Sequence, residues 1–185
     1  MPYCFALRRI RNIIPESVAW SIYYAFIYPH LVFMCSVFGS SCQNALEPLQ
    51  RLQNKTLKII RKLPYLTPTI EVYPTGTLRF KEIYFYDILI MFYKITRGEL
   101  KSSVSLRTGQ TVHNHFTRTR HHFRVPRSRT EVSRRSALRM GLHVFNNIPG
   151  DLKSIGSLAV YKTRIKSFIT SNFGFLENLV RFSVN

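Results

Sequence analysis

The chain has 185 residues, 45% hydrophobic and 14% aromatic, which is enough to bury a core and too much for a disordered basic tail. Its 27 lysines and arginines face 9 acidic residues, giving a net charge of +18 and a pI of about 10.4, whereas solubility asks a small domain for roughly 2–8. Such an excess repels itself in the folded state unless a polyanion answers it, so nucleic acid is the first partner class and an anionic membrane surface the second.

Three cysteines, Cys4, Cys35 and Cys42, form neither an even set nor a CxxC clip. This argues against a secreted disulfide framework and favours a reducing, intracellular setting, nuclear or cytoplasmic.

In chain order, residues 5–14 read as a short basic helix ended before Pro15. Ser17 is placed to cap a second helix over 18–38, kinked at Pro29 and closed by Gly39-Ser40-Ser41. This apolar run after Arg8, Arg9 and Arg11 mimics a membrane anchor. However, Glu16, Pro29 and His30 stand in or beside it, and its tyrosines (Tyr23, Tyr24, Tyr28) sit centrally rather than at interfaces. A buried helix is therefore expected, and no membrane. The alternative is a membrane-associated basic protein anchored by 18–38. No small-residue cleavage site follows, so a signal peptide is not expected.

The third predicted helix, 46–63, has the clearest pattern. Leu49, Leu52, Ile59 and Leu63 share a face with Ile60 beside them, and Arg51, Lys55, Lys58 and Lys62 form a basic stripe on another. That stripe either tracks a phosphate backbone or is a solvated face. Pro64 ends the helix, and the proline-rich stretch 64–77 reads as a connector. A fourth helix is expected over 78–97 with Gly98 as its C-cap. Its Phe80, Tyr84, Ile88, Met91 and Ile95 fall on one face, read as core rather than as a base-stacking stripe.

Residues 99–112 read as a polar linker, and 113–130 as extended, in hairpin form. Ser133 is placed to cap a fifth helix, 134–145, and a last helix is expected over 158–173, stopped by Gly174. The fold class is therefore mainly α. A helical bundle is followed by a basic extended or hairpin segment and two C-terminal helices. The expected division is 1–98, a linker at 99–112, a basic subdomain at 113–175 and a tail at 176–185.

Residues 101–150 hold Lys101 and nine arginines against Glu131 alone, half of the net charge. Arginine dominates, and its planar fork suits phosphate and base stacking better than lysine does. The candidate nucleic-acid contacts are Arg51, Lys55, Lys58 and Lys62 on the helix, and Arg118, Arg120, Arg124, Arg127, Arg129, Arg134 and Arg135 within the basic block 118–139. The segment 141–149 is read instead as structural, docking Leu142 and Phe145 into a core.

The chemistry of hydrolases and polymerases is missing from the sequence. The nine carboxylates are scattered, whereas two-metal catalysis needs them clustered. There is no phosphate-binding glycine loop, GxSxG or HExxH. His113, His115, His121 and His122 lack a second ligand pair at zinc spacing, so no metal and no cofactor is expected.

The order of segments carries more than any one of them. A basic helix precedes Trp20 and the string YYAFIYPHL at 23–31, then Val37-Phe38-Gly39. LEPLQRLQNKTLKII follows at 46–60, FTRTR at 116–120, GLHVFNNIP at 141–149 and YKTRIK at 161–166. This series resembles the region after the catalytic palm in reverse transcriptases of non-LTR (LINE-type) retrotransposons, over nearly the whole chain. Phe38 and Phe145 stand where that family usually has tryptophan, Met34-Cys35 replaces Tyr-Gly, and Thr119 is preceded by arginine rather than asparagine, the marks of a diverged or decaying copy. The resemblance implies a thumb-like helical subdomain near 5–97 that grips a template–primer duplex, and a C-terminal basic segment on RNA or target DNA. It also implies partnership with the upstream polymerase portion of the same element. The palm's Asp-Asp motif is absent from this sequence, so no polymerisation is expected of this chain alone.

Overall fold

The computed structural model describes residues 2–33, 35–41, 43–101, 106–112 and 115–184. It is mainly α, and among the described residues the only strand-like pairing is one antiparallel bridge, Thr108 to Phe123. The chain divides into two compact units, Met1–Tyr84 and Phe85–Asn185, with the boundary inside one helix.

The first unit opens with α1 (Pro2–Ile10), which stops short of the expected 14 because residues 11–13 form a turn ahead of Pro15. The predicted helix over 18–38 is broken. It comprises α2 (Glu16–Ile22), a π-helical turn (Tyr23–Ile27), α3 (Tyr28–Val32) and α4 (Cys35–Phe38). Pro29 is the cause: it has no N–H to donate, and the turn before it widens so that the Tyr28 N–H bonds the Tyr23 carbonyl. Pro15, not Ser17, occupies the N-cap of α2, and no side chain caps it.

The long α5 (Gln43–Ile60) ends three residues before the predicted 63. Pro64 pushes Leu63 out of the helical region, and the chain turns at Lys62, which takes a left-handed φ of 54°. The Leu63 N–H bonds the Lys58 carbonyl (3.0 Å) and the Lys62 N–H bonds that of Ile59 (3.3 Å), the paired pattern of a Schellman C-cap. The connector 64–77 contains one short helix, α6 (Thr69–Val72).

Leu7, Ala19, Tyr23, Leu57, Ile60 and Val72 form the buried core of this unit. One polar group is built into that core. Gln53 is fully buried, and its amide donates to the Tyr23 hydroxyl (3.1 Å) and the Leu78 carbonyl (2.8 Å), while its carbonyl accepts from Tyr73 (3.0 Å). Thr56 donates its hydroxyl proton to the Leu52 carbonyl (2.9 Å), so the 3.0 Å contact to Cys4 Sγ is made by the thiol as donor.

Helix α7 (Phe80–Thr96) holds the predicted apolar face: Phe80, Tyr84 and Ile88 are buried, Met91 and Ile95 half-buried. Its end uses the same cap as α5, with Gly98 at φ 74° in the left-handed position, as the sequence predicts.

In the second unit, residues 99–112 carry a short helix, α8 (Gly109–Val112), and residues 102–105 lie outside those described. The segment read as a hairpin over 113–130 is irregular. Phe123 pairs outward to Thr108, and turns occupy 118–121. His113 lies outside the described residues. The predicted helix 134–145 is two helices, α9 (Glu131–Arg135) and α10 (Ala137–Asn147). Thr130 caps the first and Ser136 the second, each accepting from a backbone N–H three residues on, while Ser133 is interior to α9. The short α11 (Gly150–Ser154) follows. The last helix, α12 (Leu158–Val184), runs through Gly174 to the residues read as a tail, and it bends at Asn172 (φ −121°, ψ 24°).

The core of this unit is built on α7, α10 and α12. Tyr93 stacks on Tyr161 at 4.2 Å, Phe92 meets Phe145 at 6.0 Å, and the Tyr161 hydroxyl donates to the Leu89 carbonyl at 3.3 Å. Leu142 and Phe145 are buried, in agreement with the structural reading of 141–149. Gly141 is required by close approach, since a Cβ there would collide with the Phe92 ring and the Ile88 methyl.

Candidate nucleic-acid interface

In the first unit the expected basic stripe is only partly present. Arg51 and Lys55 are exposed on α5. Arg51 is paired one turn back with Glu47, its guanidinium 2.7 Å from the carboxylate. Lys58 is half-buried and turned toward the connector, its ammonium donating to the Tyr65 carbonyl at 2.6 Å. Lys62 is exposed but lies beyond the helix end, so it does not continue the stripe. Arg61 donates to the Glu71 carbonyl and serves to fix α6. The four-residue row predicted from spacing thus reduces to Arg51 and Lys55 on the helix, with Lys62 displaced by the Schellman turn.

In the second unit the segment 115–130 lacks regular structure and is held from below. Asn146 of α10 clamps Phe123 at both backbone atoms: the Phe123 N–H donates to Asn146 Oδ1 (2.9 Å) and Asn146 Nδ2 donates to the Phe123 carbonyl (2.8 Å). Arg139 is half-buried and donates to the Pro126 carbonyl (2.9 Å) and Ser128 Oγ (2.6 Å), so this member of the block pins the loop instead of facing a ligand. Burial and the adjacent Arg139 charge hold the His143 imidazole below its ordinary pKa.

The loop so anchored presents Arg118, Arg124, Arg127 and Arg129 as exposed side chains. Among the described residues no hydrogen bond or ion pair engages their guanidinium groups. Glu131, the one carboxylate of the block, is taken by Arg135 (2.7 Å) and Arg134 (4.0 Å) on α9. Arg120 lies over the ring of Phe116 at 4.6 Å and donates to His121 Nε2 at 3.0 Å. Phe116 itself is 88% exposed. The structure therefore groups Arg118, Arg120, Arg124, Arg127 and Arg129 on one anchored loop and assigns Arg134 and Arg135 to a local ion-pair cluster.

Two residues of this surface were not singled out from sequence. Phe116 is one, and the run FTRTR that it opens was the available signal: an aromatic beside alternating arginines is a base-stacking pattern. Arg107 is the other. It lies opposite Arg124, whose N–H bonds its carbonyl at 2.8 Å, and only the Thr108–Phe123 bridge brings them together. His115, His121 and His122 are exposed, and among the described residues no group of three or more His, Cys, Asp or Glu side chains is placed to hold a metal ion.

Among the described residues no helix is long and apolar enough to cross a membrane. Comparison with protein-family models, with curated proteins and with solved structures returns no match to this chain.

Proposed function

We propose that this chain is a nucleic-acid-binding, non-catalytic region of a non-LTR retrotransposon reverse transcriptase, corresponding to thumb and post-palm segments, that holds template–primer or target nucleic acid through basic surfaces. The observation that carries the reading is the anchored loop with Arg118, Arg124, Arg127 and Arg129 exposed and unopposed by carboxylate. Guanidinium groups left in this state gain most from phosphate, which accepts their forked donors two at a time. The order of sequence motifs supplies the family half of the proposal, and the +18 net charge supports a polyanionic partner.

The test is fluorescence anisotropy of the full chain with an RNA–DNA hybrid across a salt series. Binding should weaken steeply with salt, the log–log slope falling by about 0.7–0.9 per phosphate contact. Converting Arg118, Arg124, Arg127 and Arg129 together to glutamine should cost at least tenfold in affinity and flatten the slope by about three. An affinity indifferent to salt would rule the proposal out.

A second reading is favoured by one observation. Phe33 and Val37 are 69% and 61% exposed in the α3–α4 region of this basic chain, a combination that suits the surface of an anionic bilayer. Flotation with phosphatidylserine vesicles, in the absence of any affinity for nucleic acid, would select it.

A further inference from the structure

The bridge between Thr108 and Phe123 sets Arg107 directly across from Arg124. Like charges facing each other across paired strands are destabilising, and the carboxylate of Glu131 is already engaged by Arg134 and Arg135. Both arginines, together with Arg127, line an open cleft of about 420 Å³. The rest of its lining is apolar and includes Leu106 together with Leu138 and Leu142 of α10. The volume lies within the usual range for small-ligand sites, about 300–1,000 Å³. A lining of apolar side chains and three arginines suits a ligand with a flat, weakly hydrated body and an attached multivalent anion.

We infer that this cleft takes a single unpaired nucleotide of a bound strand, its base laid on Leu106, Leu138 and Leu142 and its phosphate held by Arg107, Arg124 and Arg127. Such a subsite rests on the nucleic-acid reading above and deepens it: the exposed arginines of the loop read backbone phosphate anywhere, whereas the cleft selects a place where a base is out of the stack. The cost of unstacking is lowest where a base is already unpaired, so a bulge or a flanking single strand is the preferred substrate. Arginine rather than lysine in the lining favours phosphate through bidentate bonding.

Three RNA–DNA hybrids separate the contributions when titrated against the full chain: one uninterrupted, one with a bulged 2-aminopurine, and one with an abasic residue at the bulge. The bulged base should bind about fivefold or more tighter than the other two, as expected from burying part of one base face. Its fluorescence should become protected from acrylamide quenching. Leu138→Asn should remove that preference and leave affinity for the uninterrupted hybrid unchanged, while Arg107→Gln should weaken the bulged hybrid more than the uninterrupted one. Equal affinity for the base-bearing and abasic bulges, measured on the unaltered chain, overturns the subsite and leaves the general nucleic-acid proposal standing. Absence of binding to all three at low salt takes down both. Displacement of the bulged hybrid by micromolar adenosine monophosphate would show that the cleft serves a free nucleotide and would overturn its assignment to a strand.

Discussion

Lys62 occupies a left-handed conformation that costs an L-residue with a Cβ about 1–2 kcal/mol, and glycine almost nothing. It is exposed and caps α5 only through its backbone. Glycine would relieve the strain but lose more chain entropy on folding, so the net gain from Lys62→Gly should be about 0.5 kcal/mol. Thermal unfolding should register this as a rise of roughly 1–2 °C, and an unchanged or lower Tm would show that the turn is not strained. The cause of the turn was legible, because Pro64 marks a helix end. The position of Lys62 was not: its spacing fits the basic stripe, and periodicity cannot register that a helix has stopped. At Gly98 the two signals agreed, and the predicted cap is the observed one.

At the scale of an element, α7 begins with a carboxylate brought inside. Glu82 is only 5% exposed, and its Oε2 accepts from the Arg79 N–H at 2.8 Å, closing the first turn. Burial raises its pKa above the ordinary 4.5, and the Arg79 backbone bond and charge offset this only in part. A raised folded-state pKa means that the folded form binds the proton more readily than the unfolded chain. Its stabilising contribution is therefore complete below about 4.5 and is lost as the pH rises through the raised value. Glu82→Gln keeps an acceptor for Arg79 and removes the buried charge. The variant should match the parent at pH 4 and melt higher at pH 7 in parallel thermal scans, and a lower Tm at pH 7 would show the ionised form to be favoured. The helix itself was readable from its apolar spacing, as was α5, whereas α10 lay within a single predicted helix, 134–145, that the structure divides at Ser136. The breakage of 18–38 into four pieces was only half-legible: Pro29 announces a kink, but the widened π turn before it depends on how Tyr23 and Ile27 settle into the core.

For the whole molecule, the charge of +18 dominates at long range. Raising ionic strength from about 0.01 to 0.15 M shortens the screening length from about 30 to 8 Å, which should relieve repulsion within a folded chain so rich in unpaired arginine. Unfolding temperature should therefore rise over this interval, opposite in sign to the effect of salt on nucleic-acid affinity. Differential scanning fluorimetry in buffers of graded salt checks it, and a falling Tm would mean that ion pairs, not repulsion, set the balance. A short RNA–DNA hybrid at low salt should produce the same upward shift through binding linkage.

The sequence by itself determined the mainly α class, the helices with a sustained apolar face and the excess of positive charge, because periodicity and composition are properties of neighbouring residues. Only the tertiary structure decided which cations remain available. Arg97 is consumed by the carbonyls of Ser154 and Ile155, Arg139 by Pro126 and Ser128, and Arg107 is brought opposite Arg124. Each outcome depends on which backbone atoms and charges, distant in sequence, the fold places within a few ångströms. Whether an arginine holds its own chain or is left for a phosphate is settled by that distance, which no local pattern encodes.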